Sequence, residues 1–270
     1  MSTFTVRTAS LPVAAAATTV AVLVSTLCTG CAQPSASAAS APAPAQARTR
    51  IAAAAAATTL PTATPNPTPS PTAPTSLPPG IGPALGAKVP TDADQILLVT
   101  GKGARSPDST AVLYQRTGGQ WQADGTWAAH NALRGWTSDH HESDLRSPIG
   151  VFALTDAGGR LPDPGSRLPY HRSSQFVDFG TGFEGESLAG VFDYVIAIDY
   201  NRRPGTSPLD PVRPQGQGKG GGIWLHLDHK GPTHGCVSLP KAAMLTLLRT
   251  LDPSEHPVVV MGDRAALADA

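Results

Sequence analysis

The chain has 270 residues, with 20 basic against 20 acidic side chains and no formal net charge. Glycine and proline, 27 of each, make up a fifth of it, too much for an all-helical bundle and without the period of collagen. The neutrality is the sum of two unlike pieces. Residues 1–90 hold four basic side chains, no acid and one aromatic, Phe4, whereas residues 91–270 hold 16 basic and 20 acidic side chains and all 8 histidines. A mildly acidic second piece without basic runs argues against nucleic acid as a partner. Its length suits one domain with its own core.

The N-terminus reads as an export signal over residues 1–31. Arg7 supplies the positive region, and Leu11 to Leu27 is an apolar stretch interrupted by Thr and Ser, short of a comfortable membrane span. It ends in Thr29-Gly30-Cys31, which resembles the lipobox of bacterial lipoproteins. That resemblance implies a lipid on Cys31 and a protein held on the outer face of a membrane. An ordinary cleaved signal peptide is the alternative. Residues 32–90 are almost entirely Ala, Pro, Thr and Ser. Such a composition has little apolar surface to bury, so we expect a disordered, extended tether here.

Strand patterns dominate residues 91–270. Ile96-Leu97-Leu98-Val99 is a short apolar run closed by Gly101. Ala111–Tyr114 and Trp121 flank Gly118-Gly119, a hairpin pattern. Pro148–Leu154 and Val191–Asp199 read as strands, the latter the strongest in the chain. Ile223–Leu227 alternates, with Ile223, Leu225 and Leu227 on one face and Trp224 and His226 on the other. Met244, Leu247, Leu248 and Leu251 give the only convincing helical spacing, opened by Pro240 and stopped by Asp252-Pro253. Pro257–Met261 returns as a strand. The expectation is a mainly β domain with long Gly/Pro loops and one or a few short helices.

Chemistry concentrates around Cys236. An exported protein normally pairs its cysteines or avoids them, and this one would stand alone in the mature domain. Were residues 234–238 extended, His234, Cys236 and Ser238 would project from one side. An imidazole beside a thiol lowers its pKa and prepares a nucleophile. Gly235 allows close backbone approach, and amides near Cys236 could face a developing oxyanion. His226, Asp228, His229, His234 and Cys236 are also potential zinc ligands, but no CxxC or HExxH spacing supports a metal, and no cofactor is expected. The histidine pair His140-His141 is read as part of a polar loop.

Thr233-His234-Gly235-Cys236-Val237 resembles the [Ser/Thr]-His-Gly-Cys-[Val/Ile] signature of the bacterial L,D-transpeptidase family, the YkuD-type catalytic domain. Arg146–Phe152, Tyr194–Asn201 and Gly222–His226 are similar to other segments of that family, so the resemblance spans about residues 95–262. It implies a β-rich fold and action on peptidoglycan stem peptides. The Cys would attack the diamino-acid carbonyl of a tetrapeptide stem, D-Ala would leave, and a neighbouring stem's amine would take the acyl group in a 3→3 cross-link. By the same resemblance Cys236 is the nucleophile and His234 its general base. Gly235 lies beside the oxyanion site, and His226, Thr233 and Ser238 line the cleft. Ser238 stands where the family commonly has Arg or Asn. Hydrolysis on the same substrate, as carboxypeptidase or endopeptidase, and a non-catalytic or zinc-binding wall lipoprotein stay open as alternatives.

Overall fold

The computed structural model describes residues 76–269. The leader, Cys31 and most of the tether lie outside the described residues. In chain order the elements are α1 (Pro83–Gly86), β1 (Gln95–Gly101), β2 (Asp108–Thr117), β3 (Gln120–His130), β4 (Trp136–Thr137), β5 (Ser147–Pro148), β6 (Gly150–Ala153), β7 (Ala157–Gly159), β8 (Tyr170–Arg172) and β9 (Val195–Ala197). Then follow β10 (Trp224–Leu227), β11 (Val237–Leu239), α2 (Lys241–Thr250), β12 (Val258–Asp263) and α3 (Arg264–Asp269). Ten strands form one sheet in the order β6-β12-β1-β2-β3-β11-β10-β9-β7-β8, and β4 pairs with β5. The fold is mainly β, as the alternation and turn residues foretell. Among the described residues no helix is long and apolar enough to cross a membrane.

The apolar runs explain the layering. In β1, Leu97 and Val99 enter one hydrophobic cluster, while Ile96 and Leu98 enter another on the opposite side. Its neighbour β12, parallel to it, splits the same way, with Val259 and Met261 against Val258 and Val260. Strands buried on both faces need no polar alternation, which is why both segments read as continuous apolar runs. The first cluster is closed by α2 through Ala243, Met244, Leu247 and Leu248, as its helical spacing requires. The β2–β3 hairpin turns on Gly118 and Gly119, at φ 59° and 80°, the double left-handed geometry that favours glycine in a two-residue turn.

Two segments depart from the expectation. Val191–Asp199 yields only the three-residue β9, because turns occupy its start. There Val191 N–H donates to Leu188 O (3.2 Å) and Asp193 N–H to Gly190 O (2.9 Å). The folded domain also begins before residue 91. Leu85 and Val89 are buried in the second cluster, and Leu77 and Ile81 pack against it. Gly82 N–H donates to Leu267 O (2.7 Å), tying the turn before α1 to α3. A β-carbon at Gly82 would fall 2.1 Å from Ala268 O, so only glycine allows this approach. Four apolar residues diluted among Pro and Gly carry no readable period, so the composition masks their packing.

Leu85 is 2 % exposed. Leu85→Ala should therefore cost about 2–4 kcal/mol in urea unfolding, as for a buried leucine elsewhere. An unchanged midpoint would return residues 77–89 to the tether.

Candidate active site

The site is built where β10 meets β11. The two strands run parallel, with Leu225 beside Val237 and His226 beside Ser238. Leu225, Val237 and Leu239 point into the core, which sends His226 and Ser238 to the other side of the sheet. The segment leading into β11 bends at His234-Gly235 instead of continuing extended. Thr233 causes this. Its Oγ1 donates to Cys236 O (2.7 Å), closing a turn over residues 233–236, while its main chain bridges to Asn131 and Leu133. Ser147, wholly buried, donates its hydroxyl to Gly235 O (2.8 Å) and accepts from Ala132 N–H (3.1 Å). Because a trans peptide points its N–H opposite its C=O, anchoring the Gly235 carbonyl on Ser147 turns the Cys236 N–H away from that side. A β-carbon on Gly235 would lie 2.9 Å from Ile223 Cδ1, so close packing explains the glycine.

The thiol is held by main chain. Trp224 N–H donates to Cys236 Sγ (3.4 Å), and Sγ–H faces Gly222 O at 3.6 Å. Burial pushes the thiol up to about 11, with the Trp224 N–H pulling the other way. The lowering expected from a neighbouring imidazole is thus not what this thiol shows. His226, 4 % exposed, shares a pocket of about 110 Å³ with Cys236. Its Nδ1 faces Leu227 O at 2.9 Å, and since a carbonyl only accepts, Nδ1 carries the proton and Nε2 is left with its lone pair. Burial pushes this imidazole down to about 4, against the opposing effect of the Leu227 carbonyl. Phe192 packs edge-on against it (centroids 5.3 Å), and His229 stacks parallel to it (5.8 Å).

His234 goes elsewhere. The bend turns it out to solvent, where its ring lies on Phe183 at 4.6 Å, although it still borders the pocket. Among the described residues it makes no hydrogen bond to the thiol, which corrects the same-side alignment expected of an extended 234–238. Thr233 and His226 line the pocket. Ser238 does not. It is fully buried and donates to Asp228 Oδ1 (3.0 Å), an oxygen that also accepts from His130 Nδ1–H (2.7 Å).

Sequence reasoning passed over the far wall, formed by the loop before β9. Val191 and Phe192 line the pocket, and Glu186 accepts from His229 Nδ1–H at 2.9 Å. Those residues have no motif, and only their closeness in the fold reveals them. The His140 loop is structural, its ring edge-on to Tyr200. Among the described residues no three His, Cys, Asp or Glu side chains are grouped to hold a metal ion.

A β-rich domain with a main-chain-held cysteine and a buried histidine at one small pocket has the layout of a catalytic domain. The family model of the L,D-transpeptidase catalytic domain (YkuD) matches residues 118–260, and the chain belongs to that family. A solved structure of Bd1075 from Bdellovibrio bacteriovorus is similar at 15 % identity and a TM-score of 0.37, covering 63 % of this chain and 48 % of that one. The chain thus spans about half the length of that protein. No curated protein matches it.

The Asp228–His130 pair makes stability depend on pH in a defined window. Burial raises the Asp228 carboxyl, but the hydrogen bond and charge of His130, with Ser238 adding a bond, outweigh it and hold the group at about 2. The hydrogen bond to Asp228 holds His130 above its ordinary 6.5 against burial. A depressed acid stabilises the fold above its unfolded value near 3.8 and loses that as pH falls towards 2. A raised histidine stabilises below 6.5 and loses that as pH climbs past its folded value. Asp228→Asn should therefore destabilise most between about pH 4 and 6.5, and less on either side, in urea melts across pH. A pH-independent difference would show that the pair is not ionised.

Proposed function

We propose that this L,D-transpeptidase-type domain is a cysteine acyltransferase on peptidoglycan stem peptides, with Cys236 as nucleophile and His226, not His234, as its general base. The observation that carries it is His226 itself. It is buried, lines the same pocket as the thiol, is held neutral by that burial, and is fixed by Leu227 O in the tautomer that leaves Nε2 free to take a proton. In the forward step Sγ bonds to the diamino-acid carbonyl carbon as its proton passes to Nε2. The tetrahedral oxyanion is met by the Cys236 N–H. Collapse breaks the bond to D-Ala, whose amine takes the proton from His226, leaving a thioester. The amine of a second stem then attacks the thioester, forms the 3→3 amide and restores the thiol. A neutral base is required because the thiol at about 11 supplies almost no thiolate near pH 7.

Cys236→Ser should abolish turnover of purified tetrapeptide muropeptides, read by mass spectrometry as D-Ala loss with dimer gain. D-Ala loss without dimer would make water the acceptor. His226→Ala should cost about 10²–10⁴-fold, and His234→Ala less than about tenfold. The acid limb of the rate should fall near pH 4, where His226 gains its proton. A limb near pH 6.5, the ordinary imidazole value, would refute His226 as the base.

The same reading places the domain outside the cell, carried by the leader and tether and anchored through Cys31. Cys31→Ala should move the protein from the membrane fraction to the soluble exported fraction or block its processing. A wild-type mature N-terminus other than residue 31 would refute the anchor.

A further inference from the structure

We propose that Asn201 is a positioning residue for the Cys236 thiol, acting through the glycine segment that presents Gly222 O to it. The inference rests on Cys236 being the reacting group. The chain leaves β9, makes an excursion over residues 199–222, and returns into β10 through Gly220-Gly221-Gly222, at φ 65°, 153° and 65°. Three successive glycines have no intrinsic preference for one path, and glycine loses the most freedom on ordering. Yet the last of them must set its carbonyl against Sγ–H, and Trp224 N–H, two residues on, must meet the same sulfur.

Asn201 supplies the missing restraint. It is 3 % exposed and left-handed at φ 44°, a conformation that Asn tolerates better than most residues. Its carboxamide donates to Gly216 O (3.0 Å) and to Gly220 O, and its Oδ1 accepts from Gln215 N–H (2.7 Å). Both ends of the excursion are thereby fastened to one buried side chain. The clamp at Gly220 O lies two residues from the carbonyl at the thiol. Neighbours leave no slack, since β-carbons on Gly220 and Gly221 would fall 2.9 Å from His140 Nε2 and 2.2 Å from Arg213 Nε. Tyr200 OH, donating to Lys219 O (2.9 Å), holds the residue just before the glycines. Losing the clamp frees Gly222 O, so the S–H loses its acceptor and the pocket floor loosens.

The test uses Asn201→Asp in the full chain. This variant keeps the size, the left-handed backbone and the acceptor for Gln215, but removes both donations. Turnover of muropeptides should fall at least tenfold in kcat with little change in KM. Alkylation of Cys236 by iodoacetamide at pH 8, measured without substrate, should rise several-fold. Partial unfolding would change both rates only in proportion to the unfolded fraction, measured in parallel by circular dichroism, and the alkylation arm decides even if muropeptides prove not to be substrates. Asn201→Gly, which keeps the backbone and removes all three bonds, should show the same pair of changes should the Asp variant not fold. Both rates within twofold of wild type would overturn the proposal. So would kcat and alkylation changing only in proportion to the unfolded fraction, or failure of both variants to fold, which would make Asn201 a residue of general stability.

Discussion

Two parallel strands lying side by side usually need a dozen or more residues to connect them, most often through a helix. Here β10 and β11 are joined by residues 228–236 alone. So short a crossover cannot wander, and every part of the site inherits its confinement. The loop must turn sharply, and Thr233 closes that turn. It must also pass close to the core, and Gly235 is the residue that fits against Ile223. Ser147 and the main chain around Asn131 then fasten it from outside. The cysteine emerges at the end of this tight path with its position fixed by the main chain around it.

A buried imidazole needs its polar atoms accounted for, and β10 does this economically. The strand ends at Leu227, whose carbonyl is within reach of the ring one residue earlier. Phe192 and His229 press on the ring from two directions, so its orientation is set by packing as well as by the hydrogen bond. Next to it on the same side of the sheet, Ser238, Asp228 and His130 satisfy one another. These polar groups beside the pocket are therefore paired with each other rather than pointing into it.

Much of this was legible in the residues. Strands such as Ile96–Val99 and Val258–Val260, the glycine hairpin, the α2 spacing and the Cys236 motif all follow from local patterns. The alignment of His234, Cys236 and Ser238 on one side did not survive the geometry, because it assumed an extended chain where a Thr side chain bends it. Leu77 to Val89 were hidden for a different reason: their partners, α3 and β12, lie far along the sequence, and packing between distant segments leaves no local period. Phe192, Glu186 and Asn201 belong to the same class. An asparagine that clamps three backbone groups looks, in sequence, like any strand-end turn.

The thiol's enclosure bears on how long the enzyme lasts as well as how it reacts. Oxidation to sulfenic acid, and then irreversibly to higher acids, proceeds through the thiolate. With the group pushed up to about 11 from an ordinary 9.0, the thiolate population near neutral pH is about a hundredfold smaller than that of an exposed cysteine. Cys236 is the free cysteine of the described domain, with no second thiol there to rescue it by forming a disulfide. A sulfur kept protonated by its surroundings is one that peroxide and oxygen attack slowly.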